Sequence, residues 1–309
     1  MMGVFVQEML QLYLIAVVGF TVRKTKILNE EANHVLTQLI LYITLPALIL
    51  FSLNIQFSFA LLGDFLWLML MSAYILLLSI FLASWMRKRS QLSTNKKSVY
   101  EGLIIFGNQG YIGYAVVFAV FGEQGIVYLT MFNIVYFILI WIYGIYLFTR
   151  DTVAIEWKKI FLNPGVLFTS IGLIIFFLPI SLPVMLANTL ESVGKMTIPL
   201  SMILMGSLIA NVSFKDILFL LKDKYIWKSA MAKLLFIPLL LLPFAAFSIP
   251  FSLFAVAFLV AGMPSAPTMS LYAQKFGGDA LFASLGVLVS SLLCAFSIPL
   301  LYFILYLLY

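Results

Sequence analysis

Two short polar islands interrupt an otherwise apolar chain, and their side chains are of the kind that can hold a small charged ligand. The first, Phe106-Gly-Asn-Gln-Gly-Tyr-Ile-Gly113, offers the amides of Asn108 and Gln109 among three glycines, Gly107, Gly110 and Gly113. The second, Ala261-Gly-Met-Pro-Ser-Ala-Pro-Thr268, follows 155 residues later and offers the hydroxyls of Ser265 and Thr268 beside Pro264 and Pro267. A Phe-Gly pair comes after each island at the same offset, Phe121-Gly122 and Phe276-Gly277. Amides and hydroxyls both donate and accept, glycine frees the backbone, and proline removes a backbone donor. A helix broken at each island restarts with unpaired N–H groups and about half a positive charge at its N-terminus. Two such ends meeting near mid-membrane suit an anion without any basic side chain. The expected contacts are Asn108, Gln109, Gly110, Tyr111 and Gly113 from the first island. The second supplies Pro264, Ser265, Ala266, Pro267 and Thr268, with Ser265 as N-cap of the half-helix that follows.

What the islands lack narrows the chemistry. No Asp or Glu lies between Glu101 and Glu123, or between Asp223 and Asp279. A desolvated cation needs compensating charge, so neutral donors point to a carboxylate-bearing ligand. The spans contain no paired Asp, no His–Glu metal cluster and no Ser–His arrangement, which argues against an intramembrane enzyme and implies no cofactor or metal.

The rest of the chain is scaffold for the islands. It is 64% hydrophobic and 10% charged, with a mean hydropathy of +1.12. Soluble domains carry about 25% charged residues, so the expected solvent is a lipid bilayer. The net charge of +6 belongs to loops and does not suggest nucleic acid. The one cysteine, Cys294, sits in an apolar run and excludes an internal disulfide. The start carries Glu8 and no basic residue before its apolar run, so the first helix is expected to be retained rather than cleaved.

Charges, prolines and glycines punctuate ten apolar spans, near residues 4–22, 32–53, 60–85, 99–121, 126–149, 163–180, 184–211, 226–248, 253–275 and 281–308. Lys and Arg follow only the odd spans, for instance Arg23, Lys24 and Lys26 after the first and Arg87, Lys88 and Arg89 after the third. Basic loops stay cytoplasmic, which puts both termini outside a plasma or inner membrane. Trp85, Trp157 and Trp227 beside these loops read as an aromatic belt. An odd number of spans per half makes two similar halves inverted relative to each other. Residues 1–150 then form the first repeat and residues 151–309 the second, with no separate soluble domain. Leu45-Pro46 and Ile198-Pro199 recur at a spacing of 153, and Pro46 and Pro199 are expected to bend their spans around the site. Interrupted helices at matching repeat positions are a pointer to a transporter's binding site.

The run from Gly107-Asn108 to Gly113, then Phe121-Gly122, resembles the fourth-helix motif of the auxin efflux carrier family, whose bacterial members include malate and malonate permeases. Met263-Pro264-Ser265-Ala266, with Leu271-Tyr272-Ala273 and Phe276-Gly277, is similar to its ninth-helix motif, and Pro199-Leu200 through Gly206-Ser207-Leu208 to its seventh. The resemblance implies ten helices with crossed, broken fourth and ninth members, elevator-type movement of a transport domain, and export or exchange of small organic anions. It also leaves room for a homodimer. One departure stands out: the family has Gly-x-Pro where this chain has Gly113-Tyr114-Ala115. Losing that proline weakens the enforced break, and Tyr111 and Tyr114 re-line the pocket, so the substrate itself is not carried over.

Four ionisable residues are further candidates. Glu191 and Lys195 form either a self-neutralising i,i+4 pair or a cavity charge with a proton-linked switch. Asp64, near the start of the third span, either complements a helix N-terminus or couples a proton; the resemblance implies an acid at a similar place that lines the site. His34 is either interfacial or a proton relay. The function expected is secondary transport of a mono- or dicarboxylate, proton-linked or as uniport or exchange. Its rivals are a sodium-coupled symporter of the bile-acid type and a non-transporting ligand sensor.

Overall fold

The computed structural model describes residues 2–54, 59–149, 164–178, 182–210 and 223–308. Arg150, Trp157, Lys158, Lys159, Asn163, Lys215 and Lys222 lie outside them. The described residues are helical, and their one β-type contact is an isolated bridge between Gly107 and Ser265. In chain order the helices are α1 (Met2–Lys24), α2 (Glu30–Leu39), α3 (Leu45–Leu53), α4 (Phe59–Lys88), α5 (Thr94–Ile105), α6 (Tyr114–Thr149), α7 (Pro164–Phe177), α8 (Val184–Lys195), α9 (Thr197–Ala210), α10 (Lys224–Met231), α11 (Phe251–Ala261), α12 (Thr268–Phe276) and α13 (Ala280–Leu308). Wider π-type turns join α2 to α3 at Ile40–Thr44, lead into α6 at Gln109–Gly113 and extend α10 at Ala232–Phe236.

Polar residues collect at the helix ends, where four backbone groups lack intrahelical partners. Asn29 accepts from Ala32 N at 2.7 Å to cap α2, and Arg23 reaches Glu30 in its first turn at 2.6 Å. Asp223 caps α10 through Tyr225 N, and Asp279 caps α13 through Phe282 N. Away from the ends large apolar side chains face outward, among them Leu14, Phe81, Phe296 and Leu300. That much exposed apolar surface belongs against lipid.

Five stretches among the described residues are long and apolar enough to cross a membrane: Glu30–Phe51, Leu61–Lys88, Tyr114–Thr149, Lys224–Ala246 and Ala280–Leu308. Ten is thus not a count of unbroken helices. The expected fourth and ninth spans stop at the islands, where α5 ends after 12 residues and α11 after 11. The expected seventh is interrupted at Met196, between α8 and α9. Tyr114–Thr149 joins the end of the expected fourth span to the fifth through Gly122, whose φ of 61° no helix interior adopts. Gly277, which ends α12, has φ 81°. Among the described residues these are the two glycines of positive φ, and they are the glycines of the two Phe-Gly pairs. Glycine takes that conformation without the steric cost of a Cβ.

The chain forms two compact units. The first comprises Met1–Leu68, Gly110–Ile134 and Lys158–Val212. Within it α1 lies along α9 at backbone contact: a Cβ on Gly206 would fall 1.8 Å from the Ala16 carbonyl oxygen, and one on Gly19 would fall 2.1 Å from that of Ile203. Small residues permit such approach in membrane helices. α3 packs on α7 and α8, with Gly194 against the backbone of Leu48. Pro46 and Pro199 occupy the first turns of α3 and α9, where a missing N–H costs nothing. Just ahead of them the hydroxyls of Thr44 and Thr197 meet at 3.0 Å, both buried. These threonines are 153 residues apart, the spacing of the Pro46 and Pro199 motifs, so equivalent positions of the two repeats touch each other.

The second unit comprises Met69–Gln109, Val135–Trp157 and Ser213–Tyr309. At its centre is α11, whose residues from Leu253 to Ala261 are all buried. A helix apolar on every side belongs inside a bundle. α13 packs against α5, α10, α11 and α12, and Cys294 is buried on its inner face.

Candidate functional site

In the second unit the start of the first island, up to Gln109, meets the second island. α5 ends at Phe106, whose backbone turns extended (φ −94°, ψ 115°), and α11 ends at Gly262. The chains beyond them run antiparallel for three residues. Ala266 N donates to Phe106 O at 2.9 Å, Gly107 bridges Ser265, and Asn108 N donates to Pro264 O. The paired residues lie 156 to 160 positions apart, so the pairing is displaced by about three residues from the 155-residue offset that relates the two islands. The break therefore forms although Ala115 stands where a proline was expected. Pairing with the second island takes up the backbone groups that α5 leaves open, as freed groups at membrane depth require.

Side chains lock the crossing. Tyr136 donates its hydroxyl to Gly107 O at 2.6 Å. Ser265 donates to Leu103 O at 2.7 Å, and its own N–H donates to the Ser290 hydroxyl at 3.0 Å. Ser265 therefore does not cap the following half-helix; α12 starts after Pro267 with no side-chain cap, because the hydroxyl is engaged by the end of α5. Asn108, Gln109, Pro264, Ser265 and Ala266 are buried, while Pro267 and Thr268 are half-buried. Gln109 Oε1 has no hydrogen-bond partner among the described residues. A buried orphan acceptor costs about 1–3 kcal/mol, and such groups call for a reason. Gly110 and Gly113 belong to the first unit, as does Tyr111. Tyr114, also there, is buried with its hydroxyl 3.0 Å from that of Thr130.

The crossing is not free of basic side chains. Lys233, on the π-type turn that extends α10, is 2% exposed and donates its Nζ to Ala261 O at 3.1 Å and Ile105 O at 3.4 Å. These carbonyls end α11 and α5, where each helix carries about half a negative charge. A Cβ on Gly107 would lie 3.0 Å from Lys233 Cε, so a small residue there lets the ammonium approach. The clue in the sequence is a lone lysine five residues past Lys228, inside the apolar eighth span. Intramembrane ionisable residues mark function by default, and Lys233 is not among the ionisable candidates read from the sequence.

The other ionisable candidates lie in the first unit. Lys195 bonds Glu191 at 2.6 Å and Glu123 at 2.8 Å, and stands 5.9 Å from the Phe51 ring. Glu123 is a partner that i,i+4 spacing could not reveal. A small cavity of about 100 Å³ adjoins the group, lined in part by Leu48, Phe51, Glu123 and Lys195. The lysine side chain is 38% exposed, and exposed ion pairs contribute little to stability. Replacing Lys195 with Met is expected to leave the melting temperature within about 2 °C and anion uptake within about threefold. Uptake that collapses while folding is unchanged would instead put Lys195 on the anion's path. Asp64 accepts from the Tyr128 hydroxyl at 3.1 Å, and Gln124 donates to that hydroxyl. His34 is exposed on α2, 2.9 Å from Gln38 Nε2, while its neighbour Asn33 is buried and accepts from Ser207. No group of three or more His, Cys, Asp or Glu among the described residues could hold a metal.

A family model described as a membrane transport protein matches the chain twice, over residues 4–156 and 148–302. The chain belongs to that family. Two matches in tandem cover nearly the whole length and give the repeat directly. The family is that of the auxin efflux carriers, so this membrane transport protein is a multi-pass membrane protein. A comparison with curated proteins finds no match.

Proposed function

We propose that this membrane transport protein is a secondary carrier for a small organic anion, a mono- or dicarboxylate, bound at the crossed breaks. The observation that carries the reading is the ammonium of Lys233 on the C-terminal carbonyls of α5 and α11. One positive charge there offsets two half-charges of helix C-termini. The N-terminal ends beyond the breaks are left uncompensated, and an anion complements them. Asn108, Gln109, Ser265 and Thr268, with backbone N–H groups of both islands, form the proposed site. The buried state of most of them corresponds to a closed conformation, and alternating access supplies the opening. In an elevator the second unit, which carries the crossing, is the moving body. The expected topology is ten spans in an inverted five-plus-five repeat, with both termini outside.

Lys233 also disfavours the sodium-coupled alternative, since it occupies the carbonyls a bare cation would use. The test is uptake of labelled mono- and dicarboxylates into proteoliposomes, with and without a pH gradient, and with sodium or choline outside. Uptake of at least one carboxylate, unchanged when choline replaces sodium, is expected. The pH-gradient arm separates proton coupling from uniport or exchange. Movement of cations alone would refute the reading, and ligand binding with zero flux would make the protein a sensor.

A further inference from the structure

A wide groove on the described surface plays no part in the crossing. It lies within the second unit, between the C-terminal end of α4 and α10, and encloses about 900 Å³. We propose that it is a binding site for an anionic phospholipid, with the phosphate among Arg89, Lys224 and Lys228 and the acyl chains along the apolar wall.

Two ends of different chemistry carry this assignment. The basic end gathers Arg89, Lys224 and Lys228, all exposed, and no Asp or Glu lines the groove. The nearest acid in sequence, Asp223, is engaged as the N-cap of α10. The cations are held over aromatic faces. Arg89 stands 4.6 Å from the Trp85 ring, and Lys224 and Lys228 stand 5.2 and 5.8 Å from that of Tyr225. Tyr225 in turn accepts from Gln91 N at 2.9 Å, which ties the chain leaving α4 to α10. The charge is thus fixed at one depth rather than dispersed on free lysines.

The other end is hydrocarbon. Leu78, Phe81 and Leu82 on α4 face Met231, Phe236 and Leu240 across the groove. Leu78 precedes Arg89 by 11 residues, or about 16 Å of helix, which matches the drop from a headgroup into the acyl region. Phe81 is 73% exposed and Phe236 62% exposed, so nothing described in the chain covers the wall. Trp85 and Trp227 line the groove between the two ends, the level of an interfacial belt. A dicarboxylate would leave the apolar wall bare, and a zwitterionic lipid would bring a cationic headgroup up against three basic side chains. Basic pockets between membrane helices on the cytoplasmic side are suited to anionic headgroups, and the loop charges read this side as cytoplasmic.

The assignment is independent of the transport reading, and its test needs no flux. The full-length carrier, purified in a neutral detergent, is titrated with dioleoylphosphatidylglycerol, dioleoylphosphatidylcholine or glycerol 3-phosphate, and bound molecules are counted by native mass spectrometry. Phosphatidylglycerol is expected to be retained at least about tenfold more tightly than phosphatidylcholine. The triple substitution Arg89→Gln, Lys224→Gln, Lys228→Gln should erase that preference, and glycerol 3-phosphate should not compete. Equal retention of the two lipids by the unmodified protein would overturn the proposal without any variant having to fold. So would a triple variant that keeps the preference, or displacement by glycerol 3-phosphate, which would make the groove an aqueous anion site.

Discussion

Lys233→Met is expected to abolish anion uptake while leaving a folded protein. Methionine keeps the length and apolar stem of lysine but removes the ammonium that Ile105 O and Ala261 O now accept from. The stability change is bounded from both sides. Two carbonyls lose a charged donor, at roughly 1–3 kcal/mol, and the cost of burying an ammonium disappears. The functional loss has no such offset. Charges a few ångströms apart at an effective dielectric near 20 interact by about 4 kcal/mol, so losing the ammonium beside the proposed carboxylate is expected to weaken binding by roughly a hundredfold or more. Lys233→Arg keeps the charge but must fit a planar group against Gly107, so an intermediate loss is expected. The measurement is initial uptake into proteoliposomes beside a thermal melt of the same preparation. Uptake within about threefold of the unmodified carrier, with Lys233→Met properly folded, would remove Lys233 from the mechanism.

The second large effect concerns stability. Gly206→Ala adds one methyl group, yet its Cβ would fall 1.8 Å from Ala16 O and 2.8 Å from Phe20 N. Both are backbone atoms, so no rotamer change relieves the clash and α1 must move off α9. Overpacking of this kind costs about 1–3 kcal/mol when side chains can yield, and a larger loss is expected where only backbone is available. A matched control exists within the same unit. Gly63 on α4 would place its Cβ with nothing within 4 Å. Gly63→Ala should therefore be neutral, or stabilising by about 0.5–1 kcal/mol through helix propensity. Thermal melts followed by size-exclusion chromatography separate the two. If Gly206→Ala melts with Gly63→Ala, the glycine contact does not hold α1 in place.

The islands were legible because amides, hydroxyls, glycines and prolines are conspicuous in a hydrocarbon background, and because a fixed offset pairs them. The touching of Thr44 and Thr197 at the proline-motif spacing follows from the same repeat, although no single residue announces it. Lys233 escapes a search for charges within the islands' own segments, because the wider turn at Ala232–Phe236 aims it at the crossing from another span. Ser265 shows the opposite failure. Its type and place satisfy the rule for an N-cap, but a carbonyl from the other repeat, Leu103 O, claims the hydroxyl. Local rules predict local partners, and at this crossing the partners are about 160 residues away. Glu123 beside Lys195 is a third instance of that limit.

The division of the chain into two units has a mechanical meaning. The backbone passes from one to the other at 68/69, 109/110, 134/135, 157/158 and 212/213. Each junction is a covalent tether, so in the proposed elevator the described junctions would have to absorb the movement by torsion. Two of them, 68/69 and 134/135, fall inside the helices α4 and α6, which transmit motion stiffly. The junction at 109/110 falls inside the first island, in the wider turn Gln109–Gly113 just past the paired residues Phe106–Asn108. In the proposed carrier the loop that grips the anion would then also be a hinge, and gripping and moving would draw on the same few torsion angles.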